Sequence, residues 1–227
     1  MAYTSIFYER NKNLVHLFDD KTGYSTFPYR KYAYKLDPNG QYVSIYGDKL
    51  TRISKWEKED SPNLFESDVP ETTRVLVDTY DSDLPSTGHV TLTFDIEVEM
   101  ITGLPDVKEA NNEITSIACH DSATNRYDVF VLDKQRLSKV QNTNFNKNDR
   151  EVKVHIFDNE ANLLSSFLNY YDEINPTILT GWNIDFFDIP YLYNRIVNIL
   201  GKDHGKRLSK IGHVYYSNYR ERWSLGI

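Results

Sequence analysis

The sequence predicts an α/β fold of the α+β kind, a mixed sheet with helices packed on it, preceded by a small β-rich domain. Three observations carry this. Up to about residue 80, short strand-like runs alternate with turn clusters. From His89 a meander of three further strand-like runs begins. After the meander, helical and strand periodicities alternate, the pattern that lays helices on a mixed sheet. Between the halves lies "DSDLPSTG" (81–88), a Ser/Asp/Pro/Gly cluster that reads as a boundary. The expected domains are therefore 1–85 and 86–227.

In the first half, "LVHLFDDKTGYSTFPY" has the form strand, polar turn, strand, with "DDKTG" as the turn. "YVSIYGDKLTRIS" repeats the form around "YGDK", and "TRVLVDTY" reads as one more short strand. In the second half, "HVTLTFDIEVE" is a strand, and "EITSIACHDSATNRYDVFVLD" is two strands around the turn "DSATN". "LSKVQNTNFNKNDREV" is polar and reads as a surface loop, and "VKVHIFD" as a short strand. "DNEANLLSSFLNYYDEINP" is a helix that Asp158 or Asn159 can cap. Its Leu163, Leu164, Phe167, Leu168 and Tyr171 share one face, and Pro176 lies just beyond its end. "TILTGWN" is a short, buried-type strand. "DIPYLYNRIVNILG" is a second helix, with Pro190 in its first turn, Gly201 at its stop, and Leu192, Tyr193, Ile196 and Leu200 facing inward.

Composition narrows the function classes. With 40% hydrophobic and 14% aromatic residues the chain can bury a core. A single cysteine, Cys119, excludes an intramolecular disulfide and fits a reducing compartment. There is no Cys/His zinc spacing. No apolar run approaches the roughly 18 residues of a membrane helix, and "MAYTSIFYERNKNL" lacks the layout of a secretory signal. The expected location is the cytoplasm, with no membrane partner. The net charge of −7 argues against a nucleic-acid binder that works by bulk positive charge. It leaves open one that works through bound cations. One stretch runs the other way: residues 202–223 carry six Lys/Arg against two acids, interleaved with Tyr215, Tyr216 and Tyr219. That mixture suits phosphate contacts with base stacking, or is a solvated segment.

The strand "HVTLTFDIEVEM" (89–100) puts Asp95, Glu97 and Glu99 on one face and Phe94, Ile96 and Val98 on the other. Two explanations compete at this point. One is a one-sided strand with its polar face in water. The other is a metal site, since a central strand of a helix-covered sheet is buried on both faces and buried carboxylates need a partner. Downstream, "LTGWNIDFFDIPYLYNR" places Asp188 just after a buried strand and at the start of a helix, where it also suits an ordinary N-cap.

"FDIE", followed about 90 residues later by "TGWNIDFFDIPYLYNR", resembles the first two exonuclease motifs of family B DNA polymerases, particularly those of tailed phages. "EITSIACHDSATNRYDVFVLD" and "SIYGDKLTRIS" are similar to that group as well, so the resemblance covers most of the chain and is weakest over about the first 40 residues. It implies a 3′→5′ proofreading exonuclease of the DEDD type on an RNase H-like fold, acting on the 3′ end of single-stranded DNA. It also implies two divalent cations, Mg²⁺ or Mn²⁺, which take oxygen ligands. By the motif match, Asp95 bridges both metals, Glu97 binds one and orients the attacking water, and Asp188 binds the other, directly or through water. Asn183 in "GWN" matches a position that holds the terminal nucleotide, and Leu104 in "ITGLPD" one that contacts the terminal bases. Glu99 has no matched role. If the source is a phage, the location becomes the host cytoplasm.

A DEDD site needs a fourth acid, from a Tyr-x3-Asp or His-x3-Asp motif on a later helix. No Tyr here has an Asp four residues on, and His16 with Asp20 lies before the first motif in a strand–turn pattern. The expectation is an exonuclease region truncated before its third motif, weak or inactive by itself, whose C-terminal polymerase region is supplied in cis or as a separate chain. A rival is a non-catalytic module or a subunit of a split polymerase. Tyr24, Tyr29, Tyr32 and Tyr34, set among Arg30, Lys31 and Lys35, are candidates for binding RNA or single-stranded DNA. The resemblance adds that related phage polymerases contact RNA with their N-terminal region.

Overall fold

The computed structural model describes residues 3–81, 86–100, 103–135, 143–147, 150–217 and 222–225. The chain divides into two compact units, Met1–Thr87 and Gly88–Ile227. Among the described residues no helix is long and apolar enough to cross a membrane.

In the first unit, strands β1 (Tyr3–Glu9), β2 (Leu14–Asp19) and β3 (Gly23–Pro28) form an antiparallel sheet in that order. The β2–β3 turn is the predicted one. The Asp19 carboxylate accepts the amides of Lys21 and Thr22 at 2.8 and 2.6 Å, and Gly23 takes φ +66°, where a side chain would be strained. A second sheet has β4 (Ala33–Leu36), β5 (Tyr42–Val43) and β6 (Lys49–Ile53) in the order β4-β6-β5.

The segment "TRVLVDTY" is not a strand but part of helix α1 (Glu71–Thr79). In a strand Val75 and Val77 would share a face. Here Val75 is buried with Val15 and Leu17 of β2, while Val77 is exposed. Pro70 sets the entry and its carbonyl accepts the Arg74 amide at 3.0 Å. The buried Arg74 guanidinium then bonds the Glu66 carboxylate and carbonyl at 2.9 and 2.8 Å. Tertiary packing overrides the β-branched composition.

The second unit is built on one six-stranded sheet. Its strands are β7 (Thr91–Val98), β8 (Ile114–Asp121), β9 (Arg126–Leu132), β10 (Thr143–Lys147), β11 (Arg150–Phe157) and, after helix α2 (Glu160–Ile174), β12 (Ile178–Thr180). The order is β10-β11-β9-β8-β7-β12. The predicted meander β7-β8-β9 is antiparallel, whereas β11 joins β9 and β12 joins β7 in parallel. β10 lies within the stretch expected to be a loop. As an outer strand it pairs with β11 through the backbone while Asn144, Phe145 and Asn146 stay exposed, so it needs no apolar alternation. The rest of that stretch up to residue 142 lies outside the described residues.

Both long helices pack as their periodicity requires. Asn159 caps α2, its side chain accepting the Asn162 amide at 2.9 Å, and Leu163, Leu164, Phe167, Leu168 and Tyr171 are buried. Helix α3 (Asp188–Leu200) buries Leu192, Tyr193 and Ile196 and stops at Gly201, with φ +96°. The core joins these faces to Leu92, Phe94 and Ile96 of β7. The basic stretch 202–223 forms the short helix α4 (Lys202–Gly205), a 3₁₀ turn, and a ribbon of β13 (Val214–Ser217) and β14 (Arg222–Leu225). The side chains of Tyr215, Tyr216 and Tyr219 lie outside the described residues, and with them the stacking role considered above.

Candidate active site

Strand β7 alternates as its sequence requires: Leu92, Phe94 and Ile96 are buried, while Thr93, Asp95 and Glu97 are exposed. The expectation that both faces of this strand would be covered is therefore corrected. Asp95 and Glu97 face the open side, and Glu99 beyond them is also exposed. Of the three acids matched to the motifs, the buried one is Asp188, only 3% exposed.

β12 is what brings Asp188 to β7. It pairs with Thr91, Leu92 and Thr93 and then stops, which leaves the next part of that β7 edge without a strand. At Gly181 the chain turns off. A Cβ there would lie 2.5 Å from the Phe94 carbonyl oxygen, so only glycine lets the backbone pass so close. Asn183 follows in the left-handed region (φ +56°), which Asn tolerates better than most residues. Its carbonyl accepts the amides of Phe186 and Phe187 at 3.1 and 3.2 Å and closes the turn into α3.

The N-cap of α3 is Phe187, with no side-chain cap bond, and Asp188 is the first helical residue. Asp188 is thus not the N-cap its position suggested. Its Oδ1 instead accepts the backbone amide of Ile96 at 3.1 Å, directly between Asp95 and Glu97 on β7. Burial pushes its carboxyl above the ordinary value, the Ile96 amide pulls it back, and the charges of Asp95 and then Glu97 push it up again. The three acids named from the sequence therefore share one electrostatic neighbourhood.

Among the described residues, no three His, Cys, Asp or Glu side chains already surround one point as a cation cage. The donor set is nevertheless that of a hard cation: carboxylate oxygens only, one held by the backbone and two on an open face.

The exposed surface nearby includes two aromatic side chains that the sequence reading did not single out. Trp182 is 91% exposed and Phe186 57%, on either side of the exposed Asn183. Their signal was present: aromatics in the "GWNIDFFD" connection that no helical or strand periodicity assigns to a core. Leu104 is 88% exposed behind Gly103, and no hydrogen bond among the described residues links it to the carboxylates.

The four tyrosines offered as base stackers are engaged inside the first unit. Tyr29 and Tyr32 donate to the Asp78 carboxylate at 3.1 and 2.8 Å, and Tyr24 bonds His16 Nδ1 at 2.8 Å. Tyr34 sits edge-on to Tyr32 and Tyr42. An open cleft of that unit lies elsewhere, about 660 Å³ in volume and lined by Arg10, Arg30, Lys31, Lys55, Trp56 and Glu71 among others.

The family described as DNA polymerase family B, exonuclease domain, matches residues 52–222. The chain is similar to the DNA-directed DNA polymerase of Escherichia phage RB69, 34% identical over 196 residues covering 74% of this chain and 22% of that protein. The DNA-directed DNA polymerase of Enterobacteria phage T4 is 32% identical over 154 residues, 60% of this chain and 17% of that protein. DNA polymerase 1 of Sulfolobus acidocaldarius is 30% identical over 180 residues, 75% of this chain and 20% of that protein. The chain thus spans about a fifth of the length of these polymerases.

Proposed function

Because this chain belongs to the exonuclease domain family of family B DNA polymerases, we propose that it carries most of the proofreading site of a DNA polymerase, contributing Asp95, Glu97 and Asp188 to hydrolysis of the 3′-terminal phosphodiester of single-stranded DNA. Its mixed sheet with flanking helices is the RNase H-like arrangement of that family. The observation that carries the proposal is the Asp188 carboxylate seated on the Ile96 amide between Asp95 and Glu97.

Divalent cations, Mg²⁺ or Mn²⁺, would supply a Lewis acid for the phosphate and lower the pKa of a bound water so that it can attack at neutral pH. Asp188 would offer them a rigid anchor, since the Ile96 amide holds its carboxylate in place. Asp95 and Glu97 approach from the solvent-open face, where a phosphate can also reach. Glu97 would orient the attacking water: its oxygen bonds to phosphorus as the bond from phosphorus to the 3′ oxygen breaks, and one of its protons reaches that leaving oxygen through solvent. Asn183 and Leu104 contact the terminal nucleotide, and the exposed rings of Trp182 and Phe186 give its neighbours faces to stack on.

The test is Mn²⁺ binding by electron paramagnetic resonance, together with digestion of a 5′-labelled single strand. Saturable Mn²⁺ binding that Asp95→Ala or Asp188→Ala weakens is expected. Binding indifferent to all three acids sinks the assignment.

The cleft of the first unit favours a second reading for that unit, a site for RNA or single-stranded DNA. Four cations and a tryptophan face one acid there, and Lys31 already lies 6.0 Å from the Trp56 ring centre. Filter binding over a salt series should show a steep dependence that Lys31→Glu/Lys55→Glu flattens. An unchanged slope removes this site.

A further inference from the structure

Next to the carboxylates, one stretch of backbone is held by side chains instead of by a strand partner. Residues 107–112 connect the β7 side of the site to β8, and α3 grips them along one face. Asn194 donates to the Val107 carbonyl at 2.9 Å and Asn198 to that of Glu109 at 2.8 Å. Arg195 Nη1 donates to the carbonyls of Ala110 and Asn111 at 3.0 and 2.8 Å. Tyr191 donates to the Asn112 carbonyl at 2.8 Å and accepts the Asn112 amide at 3.1 Å. The four gripping residues fall at the i, i+3, i+4, i+7 spacing of a single helix face.

The grip imposes an unfavourable conformation. Ala110 is fully buried and has φ +44°, a region that alanine avoids and that persists only where the surroundings over-determine it. Arg195 is the residue that can do so. It is buried, and its other donors go to Glu160, Nε to Oε1 at 2.8 Å and Nη2 to Oε2 at 2.6 Å. Such a two-pronged pair fixes the guanidinium plane.

Glu160 also accepts the Ile114 amide at 2.8 Å. Ile114 is where the β7–β8 register breaks: Glu97 pairs with Ser116 but Val98 with Ile114, so Thr115 is the extra residue of a bulge. Thr115 Oγ1 donates to the Glu97 carbonyl at 3.1 Å, and Asn112 Nδ2 to the Glu99 carbonyl at 2.8 Å. Bulges re-aim the side chains beside them. The same helix that presents Asp188 to Ile96 is thus tied, seven residues further on and through Glu160, to the bulge beside Glu97.

We propose that Glu160 and Arg195 are positioning residues of the hydrolytic centre: the pair locks the 107–112 loop and the β7–β8 bulge so that Glu97 is held in register with Asp188. Neither touches a reacting group. This rests on the two-metal reading of Asp95, Glu97 and Asp188 and adds to it two residues that the motif match does not assign.

The experiment uses the 227-residue chain, with Mn²⁺ affinity read by paramagnetic resonance and loop order by hydrogen exchange at residues 107–114. Arg195→Lys keeps the charge and loses the fork. It should weaken Mn²⁺ binding about 10-fold, the usual scale for partners that orient metal ligands, and speed exchange in the loop. Ala110→Gly, added to it, should recover most of the affinity, because glycine takes a positive φ without strain. If Arg195→Lys does not fold, Asn194→Ala/Asn198→Ala replaces it, with the same expected direction. Faster loop exchange with unchanged Mn²⁺ affinity overturns the positioning role and leaves the metal reading intact. A wild-type chain that binds no Mn²⁺ overturns both.

Discussion

The Asp188 carboxylate accepts the Ile96 backbone amide across 92 residues of sequence, at 3.1 Å. It joins the first residue of one helix to the middle of the strand that carries the other two acids. It also leaves a buried carboxylate facing the charges of Asp95 and Glu97.

That arrangement costs stability when no cation is present. A carboxyl whose folded pKa is raised destabilises the fold as pH climbs above its unfolded value, ordinarily 3.8. Asp188→Asn keeps an oxygen to accept from Ile96 and removes the charge. In chelator at pH 7 the variant should melt at a higher temperature than the wild type. The gain should vanish below pH 3.8, where wild-type Asp188 is protonated in both states. Thermal melts at the two pH values check it, and a lower melting temperature at pH 7 contradicts it.

Gly181→Ala places a methyl 2.5 Å from a backbone oxygen that no rotamer change can move. A loss of about 1–3 kcal/mol is expected, the scale of overpacking. Because β12 and the turn into α3 must shift, Mn²⁺ affinity should fall with it. Urea unfolding measures the first effect and a Mn²⁺ titration the second.

Asp128 is 1% exposed and sits between His155 at 2.7 Å and Arg126 at 2.6 Å. Burial alone would push its carboxyl up, but these two partners outweigh it and hold the carboxyl below its ordinary value. The stabilisation is full above the ordinary carboxyl value and is lost as pH falls through the lower, folded one. Asp128→Asn should cost about 3–5 kcal/mol at neutral pH, as loss of one partner in a buried pair does. The difference from wild type should shrink in strong acid. Unfolding curves at both extremes decide the matter.

Trp182 packs against nothing that needs it, being 91% exposed. Trp182→Ala should therefore leave stability within about 0.5 kcal/mol. Loss of a stacking face should weaken binding of a short single strand about 10-fold. Fluorescence anisotropy with a labelled oligonucleotide reads this, and unchanged affinity removes Trp182 from the site.

The elements legible in the sequence were those whose side chains alone set their periodicity. The apolar face of α2, its Asn159 cap, the three-strand meander and the Asp19–Gly23 turn all follow from local spacing and turn chemistry. α1 was not legible, because "RVLV" suits a strand and only packing of Val75 on β2 decides for a helix. Nor was β10, whose exposed asparagines carry no pattern and whose strand character lies in its backbone bonds to β11.

By itself the sequence determined the face that Asp95 and Glu97 share and the family, and it named the candidate acids, because residue types and their order along the chain encode those. The tertiary structure decided which carboxylate is buried and what holds it. A strand's alternation says that one face differs from the other, but not which is covered. Asp188 is buried because β12 stops after Thr180 and Gly181 lets the chain turn close against Phe94, leaving the Ile96 amide to take a carboxylate as its partner.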